Sequence, residues 1–173
     1  LISLVGDILR LSKMDENSFS GEKVDVDLQA VVKQVSQTIL QPAGDKNISV
    51  YVNTESCVIK GIPSILEEIV FNLCDNAVKY NKNGGKVDIT LKKENDEAVL
   101  TVEDNGIGIP KDEQDRVFER FYRVDKSHSK EIGGTGLGLS IVKHGAAIHN
   151  AVVHIESALG KGTKIEIAFP FEK

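Results

Sequence analysis

The segment Asn72-Leu-Cys-Asp-Asn-Ala-Val-Lys-Tyr80 decides how this chain is interpreted, because it predicts a helix with an unusual polar face. At about 100° per residue, Asn72, Asp75, Asn76 and Lys79 fall on one side of that helix. A surface helix usually exposes flexible Glu and Lys, whereas two short amides one turn apart can bind polar ligand atoms or a hydrated metal ion. The segment therefore predicts a helix that packs on a core and forms one wall of a binding site. The opposite side of the helix is apolar and carries Leu66, Ile69, Val70, Leu73, Ala77 and Val78.

Apolar patterns on either side of this segment predict the fold. A helical stripe occupies the first sixteen residues, and Pro63 is well placed to begin the helix that carries Asn72. Hairpins separated by helices indicate an α/β two-layer sandwich, in which a mixed, largely antiparallel sheet carries helices on one face. The other predicted elements are a strand at 24–26, a helix at 28–39 with Asp27 as its N-cap, strands at 48–52 and 57–60, a hairpin of strands at 87–91 and 99–102, a helix at 139–149, and strands at 153–155 and 164–168.

Two glycine clusters flank a polar stretch, 104–138, that is longer than a compact domain usually carries without a function. The first, Asp104-Asn-Gly-Ile-Gly-Ile-Pro110, follows a strand and would by itself be read as a turn. The second, Gly133-Gly-Thr-Gly-Leu-Gly138, precedes a helix whose N-terminal N–H groups and dipole favour an anion such as phosphate. It is not a P-loop, since no Gly-Lys-Ser/Thr follows, and it is not a Rossmann fingerprint, since it follows a loop.

The segment Phe118-Glu-Arg-Phe-Tyr-Arg123 lies between the two clusters. Its aromatic side chains need a surface to pack on, and Arg120 and Arg123 are able to reach a phosphate tail. Surface ion pairing is the plainer interpretation of either arginine alone.

These four blocks resemble, in order, the ATP-binding domain of bacterial sensor histidine kinases. They match the family's N box (72–80), first G box (104–108), F box (118–121) and second G box (134–138). Each block alone is weak evidence, whereas four in order at family-like spacing are specific, and the resemblance spans essentially the whole chain. It implies the two-layer Bergerat fold. It also implies a boundary, because residues 1–17 resemble the end of the second dimerisation helix and residues 18–173 resemble the catalytic ATP-binding domain.

The resemblance implies ATP and Mg²⁺ as cofactors and a role for each matched residue. Asn72 would bind Mg²⁺ held by the ATP phosphates, and Arg123 would stabilise charge on the γ-phosphate during transfer. Asp104 would accept a hydrogen bond from the adenine amino group. The other implied nucleotide-binding positions are Asn76 and Lys79 at the phosphates, Tyr80 at the adenine or ribose, Gly106 and Gly108 close to the base with Ile109 beside them, Phe118 and Phe121 as anchors of a lid, and Gly134, Thr135, Gly136, Leu137 and Gly138 in the lid that closes on the triphosphate.

The Bergerat fold also serves ATPases such as DNA gyrase, mismatch-repair proteins and a heat-shock chaperone. These carry Glu four residues before the second N-box Asn, as a base for the attacking water. Here Asn72 stands at that position, although Glu68 and Asp75 lie near and stay open as alternative bases. A site without such a base favours transfer to a protein acceptor. The resemblance thus implies a protein-histidine kinase. The alternatives are a regulatory nucleotide-binding module, a superfamily ATPase and, less favoured, a serine kinase of the anti-sigma type.

The phosphorylated histidine of the family lies on the first dimerisation helix, and none of the four histidines here has a matching setting. We therefore expect this chain alone not to phosphorylate itself. The implied partners are the protein's own dimerisation domain, in a homodimer of the full-length protein, and a response regulator whose Asp receives the phosphate. His128, His144, His149 and His154 are predicted to be structural or surface residues.

Composition narrows the remaining possibilities. A net charge of −5 and few aromatic residues argue against a nucleic-acid partner. No apolar run approaches the roughly 18 residues of a transmembrane helix, so we expect no direct membrane contact by this chain. Because it begins at Leu1 without Met, we expect a fragment, and the resemblance implies that it is a cytoplasmic domain of a parent protein anchored in the bacterial inner membrane. Cys57 and Cys74 lack CxxC spacing and predict free, buried thiols.

Two features depart from the family pattern near the end of the last helix. Where the family usually has His-Gly-Gly, this chain has His149-Asn150-Ala151, and Asn tolerates the left-handed conformation that the turn needs. Gly145 lies inside the predicted helix, at a cost of about 1 kcal/mol relative to Ala. Neither feature involves a nucleotide-binding position.

Overall fold

The computed structural model describes residues 21–124 and 134–171. The predicted first helix, the segment 1–17 and His128 lie outside these residues. In chain order the described elements are β1 (Val24–Asp27), α1 (Leu28–Thr38), α2 (Leu40–Asp45), β2 (Ser49–Thr54), β3 (Val58–Gly61), α3 (Pro63–Lys79), β4 (Lys86–Glu94), β5 (Glu97–Asp104), two single-turn 3₁₀ helices (Lys111–Glu113 and Arg116–Phe118), α4 (Gly138–Ile148), β6 (Val152–Ala158) and β7 (Gly162–Pro170).

The strands form one large sheet and one small one. The large sheet has the order β2-β4-β5-β7-β6, in which β2 and β4 are parallel and all other neighbours are antiparallel. The small sheet pairs β1 with β3 in antiparallel orientation. The helices pack on one face of the large sheet, so the predicted α/β sandwich with a mixed, largely antiparallel sheet is confirmed.

Strand register separates a buried face of the large sheet from an exposed one. Leu91 pairs with Leu100, which pairs with Ile167, and all three side chains are fully buried under the helices. One residue earlier on β4 the paired side chains are polar, since Thr90 pairs with Thr101 on the opposite face of the sheet. This period of two explains why alternation in the sequence predicted the strands correctly.

Helix α1 begins as predicted. The Asp27 carboxylate accepts hydrogen bonds from the N–H groups of Gln29 (3.0 Å) and Ala30 (3.4 Å), so it satisfies two N–H groups that have no partner within the helix. The short helix α2 is not predicted by the pattern, because Pro42 and Gly44 read as helix breakers. Pro42 falls in the first turn of α2, where its missing N–H is not needed.

Helix α3 carries the segment that opened the sequence analysis. Pro63 is its first residue, and each of the six predicted apolar positions on its inner face is buried. At the other end, the Lys46 ammonium donates to the carbonyl oxygens of Val78 (3.2 Å) and Lys79 (2.8 Å). This positive charge satisfies C-terminal carbonyl groups and opposes the negative end of the helix dipole.

Helix α4 packs closely against α3 because it has a glycine at the contact. A Cβ atom built on Gly145 would lie 2.9 Å from Ile65 Cγ2 and 3.0 Å from Ile69 Cδ1, which is closer than side chains pack. The propensity cost of Gly145 is therefore offset by a close approach of the two helices.

His149 joins the C-terminal end of α4 to the start of α3. Its buried ring accepts a hydrogen bond at Nε2 from the Ile62 N–H (3.0 Å), and its Nδ1 lies 2.7 Å from the Gly145 carbonyl oxygen. Because Nε2 must accept, the neutral ring donates from Nδ1 to that carbonyl. The ring edge also meets Phe169, at 6.2 Å between ring centroids. Asn150 then has φ of 53°, the left-handed conformation expected for the turn.

The two cysteines are free and buried, as predicted. Burial, together with a smaller effect of the neighbouring Asp75, raises the pKa of the Cys74 thiol to about 12. Burial also raises the pKa of the Cys57 thiol. Both residues therefore contribute apolar volume to the core.

Replacing two helical glycines by alanine tests the α3–α4 contact. We expect Gly145→Ala to lower the free energy of unfolding by about 1 kcal/mol, because overpacking outweighs the gain in helix propensity. Gly44→Ala is the matched control, since a Cβ atom there meets no atom within 4 Å. It should raise the free energy of unfolding by about 0.5 kcal/mol. Urea denaturation measures both, and a stabilising Gly145→Ala would contradict the close contact.

Candidate functional site

The amide of Asn72 is oriented by its own helix. Its Nδ2 donates to the main-chain carbonyl oxygen of Glu68 at 2.7 Å, which leaves Oδ1 as the outward acceptor. This oxygen faces the start of α4, because a Cβ atom built on Gly138 would lie 2.9 Å from it. The arrangement presents one fixed oxygen, the ligand type that hard cations such as Mg²⁺ prefer.

Asn76 and Lys79 extend the polar face of α3 by two further positions. Asn76 Nδ2 would lie 3.6 Å from the same Cβ position on Gly138, so the two amides flank the start of α4. One turn further on, Lys79 Nζ lies 3.1 Å from Asp75 Oδ2 in an i,i+4 ion pair. The carboxylate of Asp75 is thus engaged by the lysine on its own helix.

The second glycine cluster runs along this polar face in the opposite direction. At one end, a Cβ atom on Gly134 would lie 2.9 Å from Tyr80 Oη and 4.0 Å from Arg123 Nη2. At the other end, Gly138 meets Asn72. A side chain at Gly134 or Gly138 would collide with Tyr80 or Asn72, so glycine lets the loop lie directly against α3.

The start of α4 adds main-chain donors beside Asn72 and Asn76. Leu137 is fully buried and anchors the turn, and Ser140 Oγ donates to its carbonyl oxygen at 2.7 Å. Among the described residues, no side chain caps the N-terminus of α4. Its first N–H groups and the positive end of its dipole therefore suit an anion.

Asp104 lies at the end of β5 and forms the far wall of the site. Its Oδ1 accepts the Gly106 N–H at 2.8 Å. Burial raises the pKa of this carboxyl to about 6, although main-chain hydrogen bonds from Gly106 and Thr163 act against the shift and Glu103 adds to it slightly. At pH 7 the group is therefore mostly ionised and is able to accept a hydrogen bond from a ligand N–H.

The first glycine cluster is packed so tightly that side chains do not fit. A Cβ atom on Gly106 would lie 2.8 Å from Asn81 Cα and would overlap the Tyr80 carbonyl oxygen. The Ile107 N–H donates to that same carbonyl at 3.1 Å, which joins this loop to the end of α3. Gly108, with φ of 69°, passes directly over the Ala158 main chain. These contacts place Asp104 beside Tyr80.

Two polar side chains hold this loop in place and were not singled out from the sequence. Ser157 Oγ accepts the Ile109 N–H (2.8 Å) and lies 2.8 Å from the Gly162 carbonyl oxygen, to which it donates. Gln114 Nε2 donates to the carbonyl oxygens of Ile109 (3.1 Å) and Ser157 (2.7 Å). The available signal for Ser157 was its place in the alternation of β6, where it continues the inward-facing row of Val153 and Ile155 with a hydroxyl group.

The F-box segment meets the second glycine cluster through its main chain. The Phe121 N–H donates to the Gly136 carbonyl oxygen at 2.9 Å, while the Phe121 side chain is 58 % exposed. Phe118 is half-buried, with Lys143 Nζ 5.9 Å from its ring centroid. The structure therefore places Arg123 beside Gly134 and Tyr80, while Phe118 lies near Lys143, Phe121 is exposed and Ile109 is held by Ser157.

Comparison with known proteins identifies the family. Residues 61–173 match the model of the histidine kinase-, DNA gyrase B- and HSP90-like ATPase family. The chain belongs to this family. The solved structure of the mycobacterial sensor histidine kinase MprB is 31 % identical, with a TM-score of 0.76, and the match covers 86 % of this chain and 97 % of that chain. The prediction that this chain is the catalytic domain of a sensor histidine kinase, with the Bergerat-type fold, is confirmed.

Longer relatives extend the same likeness to nearly the whole chain. The sensor-like histidine kinase SenX3 of Mycolicibacterium smegmatis is 36 % identical over 171 residues, which is 98 % of this chain and 44 % of SenX3. The histidine-protein kinase ArlS of Staphylococcus aureus is 34 % identical over 169 residues, 98 % of this chain and 38 % of ArlS. Full-length ShkA in complex with AMPPNP is 27 % identical, with a TM-score of 0.86 over 100 % of this chain and 36 % of ShkA. The chain thus spans less than half the length of these relatives.

The raised pKa of Asp104 gives the stability of this domain a defined pH dependence. An Asp whose pKa is about 6 in the folded state and about 3.9 in the unfolded state binds more protons when folded between those values. The free energy of unfolding should therefore fall as pH rises from about 4 to about 6, by about 2 kcal/mol from this residue. Urea denaturation of wild type and Asp104→Asn at several pH values in this range gives the free energy of unfolding of each protein. The effect of Asp104 is the change with pH in the difference between the two free energies. A difference that stays constant with pH would contradict the burial of this carboxyl.

Proposed function

We propose that this domain binds ATP and transfers its γ-phosphate to a histidine on a dimerisation domain, for relay to an aspartate of a response regulator. One observation carries the proposal: the Asn72 oxygen, the Asn76 amide and the uncapped start of α4 meet at one place, with Asp104 on the other side of Tyr80. The amides and the main-chain donors suit a phosphate chain, and the half-buried Asp104 carboxylate suits a base.

The nucleotide would lie with its base at Asp104 and its phosphates along α3. Asp104 would accept a hydrogen bond from the adenine amino group, which a guanine does not offer at that position. Gly106 and Gly108 would let the main chain approach the base, and Tyr80 would pack against the base or ribose. The triphosphate would then lie between the polar face of α3 and residues 134–138, near Asn76, Lys79 and the α4 N-terminus.

Mg²⁺ fits this site as a partner of the phosphates. Asn72 supplies one oriented oxygen, which suits an ion that keeps several waters and takes its other ligands from phosphate. Within residues 21–124 and 134–171 no group of three or more His, Cys, Asp or Glu side chains is arranged to hold a metal ion without nucleotide. When bound, the ion would neutralise phosphate charge. Arg123 would add a positive charge at the γ-phosphate.

The residue at position 72 favours transfer over hydrolysis. An amide cannot take a proton from water, and the Asn72 side chain is in any case hydrogen-bonded to its own helix. Asp75, which the sequence left open as a base, is paired with Lys79 at 3.1 Å. Glu68 lies one turn before Asn72 and stays an alternative base, so the preference for transfer rests on the amide at position 72.

The partners and location follow from the same proposal. Residues 1–17 would belong to the second helix of the dimerisation domain, and residues 18–173 would form the catalytic domain. The full-length protein would be a homodimer that is anchored in the bacterial inner membrane and exposes this domain to the cytoplasm. In the described part of the chain, no helix combines the length and the apolar character needed to cross a membrane.

Titration with nucleotide tests the role of Asn72. We expect Asn72→Ala to weaken binding of AMPPNP about tenfold in the presence of Mg²⁺, because one metal ligand is lost. In EDTA the variant and wild type should bind AMPPNP with similar, weaker affinity. Asn53→Ala, an exposed amide on β2, is the control and should change neither value. Isothermal titration calorimetry measures all three proteins, and equal losses with and without Mg²⁺ would exclude Asn72 as a metal ligand.

Phosphate transfer tests the reaction itself. The chain alone, incubated with γ-labelled ATP and Mg²⁺, should acquire no acid-labile label, whereas a dimerisation domain from the same parent protein, added in trans, should be labelled on histidine. Arg123→Ala should reduce that labelling at least about tenfold. Nucleotide binding without any transfer would favour the regulatory module, and steady release of phosphate by the chain alone would favour an ATPase.

A further inference from the structure

Three side chains of the segment before the second glycine cluster form a compact contact, here named the tyrosine clamp: Glu113, Arg116 and Tyr122. The Tyr122 hydroxyl donates a hydrogen bond to Glu113 Oε2. The Arg116 guanidinium lies over the Tyr122 ring, with 4.0 Å between Cζ and the ring centroid. Arg116 is in turn oriented by Glu119, whose Oε1 lies 3.7 Å from Nε. Tyr122 is thus held both at its hydroxyl group and across its ring face.

The residue before Tyr122 has a strained main chain. Phe121 has φ of 63°, a left-handed conformation that costs a side-chain-bearing residue about 1–2 kcal/mol. Its side chain is 58 % exposed, so burial of the ring does not offset this cost. Such conformations persist where surrounding contacts determine them. Contacts that hold this segment include the Phe121 N–H···O bond to Gly136 and the clamp on the next residue.

The strained residue lies where two loops cross. Gly136 also has a left-handed φ, of 73°, and a Cβ atom built on it would lie 2.9 Å from the Phe121 carbonyl carbon. The two main chains therefore approach as closely as glycine permits. A segment held on one side by this crossing and on the other by the clamp has little freedom to rotate.

Arg123 follows Tyr122 directly and lies beside Gly134, near the Tyr80 hydroxyl at the C-terminal end of α3. Its Nη2 would lie 4.0 Å from a Cβ atom on Gly134, and the same Cβ position is 2.9 Å from Tyr80 Oη. The direction in which Arg123 leaves the main chain depends on the conformation of residues 121 and 122. The clamp is therefore connected to the site through one peptide unit.

We propose that Tyr122 is a positioning residue for recognition of the γ-phosphate. By binding Glu113 and Arg116, it holds the main chain of residues 121–123 against Gly136 and directs Arg123 toward the terminal phosphate. The proposal rests on the proposed function, because that function supplies the γ-phosphate at Arg123. None of the three clamp side chains belongs to the buried core, so the clamp affects the geometry of the site more than the stability of the fold.

Two nucleotides that differ by the γ-phosphate test the proposal. Calorimetry on the whole chain would give the affinities of wild type and Tyr122→Phe for Mg-AMPPNP and Mg-ADP. We expect Tyr122→Phe to weaken AMPPNP binding about fivefold, as for the loss of one side-chain hydrogen bond, and to leave ADP binding unchanged. Tyr51→Phe is the matched control: Tyr51 is 56 % exposed, and the Lys86 ammonium lies 5.5 Å from its ring centroid. It should alter neither affinity.

Changes at Glu113 separate the hydrogen bond from other effects. Glu113→Ala should reproduce the loss in AMPPNP affinity, and the double variant with Tyr122→Phe should lose no more than either single variant. Glu113→Gln retains an acceptor for the tyrosine hydroxyl and should keep most of the wild-type affinity.

The contrary outcomes are distinct. An unchanged ratio of AMPPNP to ADP affinity in Tyr122→Phe would overturn the positioning role. An equal loss for both nucleotides together with a lower melting temperature would also overturn it, since it would assign Tyr122 to stability alone. If wild type bound neither nucleotide, the proposed function itself would fail. Wild-type binding with an unaffected variant would leave that function standing and remove only the role of Tyr122.

Discussion

The packing of α3 against α4 is the contact on which the site depends. The two helices run in opposite directions, touch closely at Gly145 and are joined at one end by the buried ring of His149. The same alignment brings Gly138 against Asn72 at the other end. The position of the α4 N-terminus relative to the amides is therefore set by the contacts of Gly145 and His149 in the core, where packing tolerates little displacement.

The loops of the site lack a core of their own and are held by hydrogen bonds to elements of the sandwich. Ser157 and Gln114 bind the main chain at Ile109, and the Tyr80 carbonyl binds the first glycine cluster. Asp104 lies beside these loops and is partly buried. Burial raises the pKa of its carboxyl to about 6 and so disfavours the ionised form. A carboxylate kept partly desolvated in an open site is a common sign of a group retained for binding at the expense of stability.

Much of the fold was predictable because its determinants are local. The N-cap at Asp27, the start of α3 at Pro63 and the left-handed turn at Asn150 each follow from the chemistry of one residue. Helix α2 was not predicted, since Pro42 reads as a breaker unless the start of a new helix is known. The role of Lys46 was likewise not predicted, because its partners are distant in sequence: the Lys46 ammonium binds carbonyl groups 32 and 33 residues away.

The sequence by itself determined the residue types that a nucleotide site needs: short amides on one helical face, a carboxylate after a strand and glycines before a helix. These follow from periodicity and from the limited ways in which phosphate, base and metal are bound. Only the tertiary structure decided how they meet, because helix packing brings Gly138 against the Asn72 oxygen and the loop brings Arg123 beside Gly134 and Tyr80. The polar face of Asn72 to Tyr80 predicted a wall, and these distances show that residues 134–138 lie directly opposite it.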